Sequence, residues 1–176
     1  QEPRRAALGM LYEIFPDRVF DYLATDFSKA ELKLLHSALS KQINCPRTSS
    51  MGRIFDAVSN VLGLCRINQY EGQAAMALEN CASGVYSDDV YSFRINKTEP
   101  LVIDWQITLE QLLGDTQHIG PELIAAKFHN TLADIILAIA GRAGQQKVVL
   151  SGGCFQNALL VEKAGAKLKN SGFHVY

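Results

Sequence analysis

The sequence predicts an α/β fold in which helices dominate. Three features predict it: helical apolar spacing through the first two-thirds of the chain, one short stretch rich in β-branched and aromatic residues, and a closing strand, glycine turn, helix and strand.

Pro3 suits the first turn of a helix whose apolar positions Ala7, Leu8, Leu11 and Ile14 recur at helical spacing, and Pro16 ends it. A short helix over residues 17–24 follows. Ser28 and Glu31 form a capping-box pattern ahead of Leu32, Leu34, Leu35 and Leu39, which makes this the best-supported helix near the N-terminus. After Pro46, the hydroxyls of Thr48, Ser49 and Ser50 offer caps for a helix carrying Ile54, Phe55, Val58, Val61 and Leu62, and Gly63 stops it. Residues 71–82, rich in alanine, read as a further helix, which the polar run 83–89 breaks.

Residues 91–95 and 101–105 read as two strands of a hairpin with its turn at 96–100. A short helix over 108–113 precedes Pro121, which opens the longest helical run, 122–143, apolar on too many sides for a surface helix and so expected to be largely buried. Val148, Val149 and Leu150 then suggest a buried strand, Ser151-Gly152-Gly153 a turn, 156–169 a helix and 173–176 a last strand. The chain is expected to stop inside a β-α-β unit.

Composition narrows the function. With 176 residues, 48% of them apolar, the chain can bury one good core or two small lobes. Seventeen basic against eighteen acidic residues leave no electrostatic footprint for nucleic acid or an anionic membrane. No uninterrupted apolar run approaches a bilayer's thickness and no secretory start is present, so a soluble, cytoplasmic protein is expected. Cys45, Cys65, Cys81 and Cys154 form no Cys-x-x-Cys pair and read as reduced, buried small hydrophobes. His36, His118, His129 and His174 form no His-x-x-x-His pair, so no metal ligand is assigned; His129, within the buried run, reads as a hydrogen-bonded core histidine. P-loop and nucleophile-elbow motifs are absent, and no catalytic residue is assigned.

The local signals for a ligand are modest. Gly152 and Gly153 would let phosphate or adenosine approach backbone N–H groups, though many folds use glycine in such turns for geometry alone. Asn157, one turn into the following helix, could donate and accept toward a nucleotide. Asp56 interrupts an apolar helical segment and faces either solvent, the default, or a cleft. Glu71 and Gly72 lie where a loop meets a helix start, a place a carboxylate favours without any function.

Four ordered blocks change the weight of these signals. Thr48-Ser-Ser-Met-Gly-Arg-Ile-Phe-Asp-Ala57 with Val61-Leu-Gly-Leu-Cys65, Tyr70-Glu-Gly-Gln-Ala-Ala-Met76, Phe128-His-Asn-Thr-Leu-Ala133 and Leu150-Ser-Gly-Gly-Cys-Phe-Gln-Asn157 closely resemble the C-terminal carbamoyltransferase domain of HypF-type hydrogenase maturation factors. Glu2, Pro3 and Arg5 also fit, while Arg4 stands where that family has an aromatic residue. The resemblance implies the second lobe of an actin-like, sugar-kinase or Hsp70-type ATPase fold with a largely helical insertion, related to the transferases that put threonylcarbamoyl on tRNA. It implies three segments: a helical one over 1–47, a helical region with a β-hairpin over 48–143, and a truncated nucleotide-binding β-α-β unit over 144–176.

The implied activity is carbamoyl transfer from carbamoyl phosphate, through ATP and a carbamoyl-adenylate, to the C-terminal cysteine of HypE, a step toward the cyanide ligands of nickel–iron hydrogenase. By resemblance Asp56 would hold the ribose hydroxyls, Glu71 and Gly72 would border the nucleoside, and Gly152, Gly153 and Asn157 would line adenosine and phosphates, all converging on ATP with magnesium. The family's zinc or iron site is expected only in the full-length domain, since its paired histidines would precede residue 1 and its last ligand would follow Tyr176. The implied partners are HypE and the remaining domains of HypF, with no nucleic acid and no membrane, and the segment alone is expected to be inactive. Two other readings stay open at this point: a sugar-kinase-like phosphotransferase and a non-catalytic protein-docking module.

Overall fold

The structure, a computed structural model, describes every residue except Gln1 and Ala24, and of Asp21 only the backbone. Its elements run α1 (Pro3–Ile14), α2 (Val19–Tyr22), α3 (Lys29–Ser40), α4 (Met51–Val61), α5 (Gln73–Ala82), β1 (Arg94–Asn96), β2 (Val102–Asp104), α6 (Gln106–Asp115), α7 (Pro121–Ala143), β3 (Lys147–Val148), a single 3-10 turn (Gly153–Gln156), α8 (Ala158–Asn170) and β4 (His174–Val175). They form two compact units, residues 1–78 and 79–176, with the boundary inside α5.

In the first unit α1 packs along α4. Pro3 occupies the first turn of α1, and Ala7, Leu8 and Leu11, one turn apart, form its buried stripe. On α4 the sequence Phe55 to Asn60 is buried without interruption, polar residues included. The capping box on α3 is complete: Glu31 N–H donates to Ser28 Oγ at 3.3 Å and Ser28 N–H to Glu31 Oε2 at 2.8 Å. Yet α3 buries none of its residues fully, and Leu34 is 71% exposed, so local capping rather than core packing defines this helix. The short helix expected over 17–24 is the four-residue α2, and its expected end at 24 lies outside the described residues.

Arg4, where the resemblance led to the expectation of an aromatic residue, ties the unit's start together. Its Nη1 donates to Asp26 O at 2.7 Å, its Nη2 pairs with Glu2 and Glu31, and its guanidinium lies 4.6 Å from the centre of the Phe27 ring. A planar five-donor cation fills the space with hydrogen bonds on its edge and an aromatic contact on its face.

In the second unit α7 is the core helix. By length and mean hydropathy it is apolar enough to cross a bilayer, although Lys127 and Asp134 interrupt its apolar run, and 61% of that window is buried inside the protein. Its polar residues are also answered within the protein: Asn130 Nδ2 donates to Ser87 O and Asp89 O, Thr131 Oγ1 accepts from Tyr91 N–H at 2.8 Å, and Asp134 pairs with Lys167 of α8. Helix α7 ends at Gly144, whose φ of 65° is the left-handed stop glycine allows.

The hairpin is present but shorter than its sequence signal. Only Arg94–Asn96 and Val102–Asp104 pair, antiparallel, because Tyr91 is taken into the core beside α7 and Trp105 serves as the N-cap residue of α6. β3 and β4 pair in parallel, Lys147 opposite His174 and Val148 opposite Val175. The expectation of a buried strand at 148–150 is corrected: Val149 is 69% exposed, since a strand buries both faces only when covered on both, and nothing among the described residues covers that side. The cysteines are free, as expected, but only Cys65 is buried.

Candidate functional site

Asp56 sits in the middle of α4 and is 2% exposed, so the default of a solvated carboxylate does not hold. Burial pushes its pKa up, because a carboxylate stripped of water disfavours its charge. Arg53, one turn earlier, opposes that shift with Nη1 2.8 Å from Asp56 Oδ2, and Asn68 opposes it too. The Arg53 contact lies off hydrogen-bonding direction, so Oδ2 has an ion-pair neighbour but no hydrogen bond aimed at it. Ser59 and Asn60, three and four residues on, share the helical face of Asp56, and their side-chain oxygen and nitrogen atoms are likewise buried without hydrogen bonds. All the buried side-chain polar atoms without hydrogen-bond partners among the described residues belong to these three residues and Asn68.

Asn68 connects Asp56 with the loop that carries Glu71 and Gly72. Its Oδ1 accepts from Ala74 N–H at 3.1 Å and from the Cys65 thiol at 3.3 Å, while its amide nitrogen favours the ionised form of Asp56. Gln73 Oε1 accepts from Gln69 N–H at 2.6 Å and closes the other side of the loop. Gly72, at φ 80°, makes the left-handed turn from which α5 starts at Gln73, so the helix expected from residue 71 begins two residues later. Glu71 is exposed on that turn.

In the second unit the chain leaves β3 through Ser151, Gly152 and Gly153, all exposed. Gly152 has φ 104° and ψ 171°, a region open essentially to glycine alone. A side chain placed on either glycine would meet nothing within 4 Å, and the amides of Ser151, Gly152 and Gly153 donate to no described acceptor. The turn therefore combines unengaged amides with open space on the side-chain side of both glycines.

The helix after it does not start where the sequence suggested. The 3-10 turn intervenes, and Asn157, expected one turn inside α8, is instead its N-cap: Leu160 N–H donates to Asn157 Oδ1 at 2.8 Å. Leu159 N–H donates to Glu79 Oε1 at 3.2 Å, so two of the helix's first amides are already satisfied and a carboxylate already faces its positive end. The donors left for a ligand are those of the glycine turn. Asn157 is buried, and its Nδ2 lies 3.0 Å from His129 Nε2, whose ring was expected to be a satisfied core histidine and is one.

Among the described residues no three His, Cys, Asp or Glu side chains gather closely enough to hold a metal ion. Sequence reading passed over Arg53, Ser59, Asn60, Asn68 and Glu79. The first three were within reach of it, because a polar stripe at three- and four-residue spacing around Asp56 is visible in an otherwise apolar helix.

Compared with known families, residues 1–176 match the model of the carbamoyltransferase Kae1-like domain, second subdomain. The chain belongs to this carbamoyltransferase family. Carbamoyltransferase HypF of Synechocystis sp. is 34% identical over 97% of the chain, and the probable carbamoyltransferase HypF of Methanocaldococcus jannaschii is 30% identical over 98%. The chain spans only about a quarter of these relatives, 24% and 23% of their lengths. A crystal structure of full-length HypF in a phosphate- and nucleotide-bound form matches all of the chain and 24% of its own with a TM-score of 0.91 and 35% identity. The HypF structure from T. kodakarensis, at 24% identity and a TM-score of 0.83, shares the fold. The chain thus corresponds to one part of the HypF carbamoyltransferases it resembles.

Proposed function

We propose that this segment supplies adenine-nucleotide contacts to a cytoplasmic HypF-type enzyme that uses ATP with magnesium and carbamoyl phosphate to carbamoylate the C-terminal cysteine of HypE, for the cyanide ligands of nickel–iron hydrogenase. The observation that carries the reading is the match over the whole chain to a HypF structure with phosphate and nucleotide bound. The segment's own geometry supports it. A buried carboxylate oxygen without a hydrogen-bonding partner, Asp56 Oδ2, suits a ribose hydroxyl, which would supply the missing donor. The free amides around Gly152 and Gly153 suit phosphate oxygens, and the open space beside both glycines admits them.

In this reading Glu71 and Gly72 border the nucleoside, and Asn157 shapes the glycine turn. Each assignment rests on geometry within its own unit. The fold is read as the second lobe of an actin-like ATPase, with HypE and the other HypF domains as partners.

Calorimetric titration of ATP into the full-length enzyme carrying this segment tests the proposal. Binding heat is expected, and Asp56→Ala should weaken it by roughly tenfold, the size of one charge-assisted hydrogen bond. A parent enzyme without ATP heat would overturn the nucleotide reading, and unchanged affinity in the variant would remove Asp56 from it.

A further inference from the structure

We infer that His129, in its neutral form with the proton on Nδ1, is a positioning residue that holds the Gly152 turn through Asn157. The inference rests on the nucleotide reading above and adds to it a residue that touches no ligand.

The hydrogen bonds leave one assignment. Leu160 N–H can only donate, so the Asn157 atom it meets at 2.8 Å is Oδ1, and the atom facing His129 must be Nδ2. Nδ2 is a donor, so His129 Nε2, 3.0 Å away, must be an unprotonated acceptor. The ring's proton then sits on Nδ1, which donates to Ala125 O at 2.8 Å, one turn back on α7. A single relay runs from the α7 backbone through the imidazole and the carboxamide to the first turn of α8.

The same relay governs the glycine turn. Asn157 follows the 3-10 turn directly, and its N–H donates to Cys154 O at 3.3 Å, while Phe155 N–H donates to Gly152 O at 3.1 Å. Fixing the Asn157 side chain against α7 therefore fixes the end of the segment whose beginning is Gly152. Protonating Nε2 would set two donors face to face. The carboxamide could answer only by turning over, which would point its NH2 at Leu160 N–H and undo the cap on α8. The cap and the imidazolium exclude each other.

The surroundings favour the neutral ring. His129 is fully buried, and burial lowers its pKa most, with Lys163 of α8 acting in the same direction. The hydrogen bond to Ala125 and the charge of Glu79 on α5 act against that shift. Glu79 also accepts from Leu159 N–H, so its own protonation in acid must be separated from that of the ring.

The experiment compares ATP affinity of the full-length enzyme with His129→Leu and His129→Gln, at about pH 7.5 and about pH 5.5. Gln keeps an acceptor that reaches Asn157 and cannot be protonated, whereas Leu leaves Nδ2 unpaired. Near neutrality the Leu variant should bind ATP roughly tenfold more weakly and the Gln variant should stay within about threefold of the parent. Under acidification strong enough to protonate the ring, the parent should lose more affinity than the Gln variant. Titration of ATP and of Glu79 is common to both proteins and cancels in that ratio. A Gln variant as weak as the Leu variant, or full affinity in a folded Leu variant, would overturn the role of His129 while leaving the nucleotide reading intact. A parent that binds no ATP at either pH would overturn both. Should the Leu variant fail to fold, the Gln variant still decides: affinity within about threefold of the parent supports the role, and a roughly tenfold loss in a folded Gln variant overturns it.

Discussion

A carboxylate as buried as Asp56 is tolerated only where something offsets its lost hydration, and here Arg53 and Asn68 do so in part, leaving the pKa raised. The sign of the linkage follows. With the folded value above the ordinary 3.8, the folded state holds the proton more tightly, so stability falls as pH rises from that ordinary value through the folded one. Asp56→Asn removes the titration. Its unfolding midpoint should therefore gain on the parent's as pH rises across that window, while ATP affinity falls. Thermal unfolding of both proteins across the acidic range checks this, and a constant difference between them would contradict it. For His129 the depressed folded value works the other way: its contribution is complete above the ordinary 6.5 and is lost as pH falls from there toward the folded value.

At the scale of elements, the glycine turn and α8 divide the work between them. Helix α8 has its early amides occupied by Asn157 and Glu79, so it serves as a fixed support, and the preceding turn carries the unengaged donors. Gly152 is the vulnerable point, because its φ of 104° places any other residue in a strained conformation costing about 1–3 kcal/mol. Gly152→Ala in the full-length enzyme should relax that strain by reshaping the turn, with a large loss of ATP affinity and a small loss of stability, since the position is exposed with open space beside it. Calorimetry and thermal unfolding on the same sample separate the two effects. Unaltered ATP binding would detach the turn from nucleotide recognition.

At the scale of the whole chain, the segment covers about a quarter of its curated relatives, 24% of the Synechocystis protein. The reaction proposed above draws on ATP, carbamoyl phosphate and a protein thiol, and the segment alone is expected to transfer nothing. Incubation with ATP, carbamoyl phosphate and HypE, read by mass spectrometry of the HypE C-terminus, checks this, and a carbamoylated cysteine would refute it. Much of the fold was legible beforehand: α1, the capped α3, α4, the hairpin and α7 lie where apolar period, caps and proline or glycine stops indicated. The burial of 148–150 and the place of Asn157 were not, because a strand's cover and a helix's cap depend on neighbours the local pattern does not name.

By itself the sequence determined the family and the kind and order of most elements. Ordered motif blocks need no folding to be recognised, and helical period and capping act over a few neighbouring residues. Only the tertiary structure decided the state of the polar groups. It buried Asp56, joined His129 to Asn157 across 28 positions and set Glu79 on an amide 80 positions away. Burial and hydrogen bonding arise from whatever the fold brings alongside, and no local spacing encodes a partner so distant in the chain.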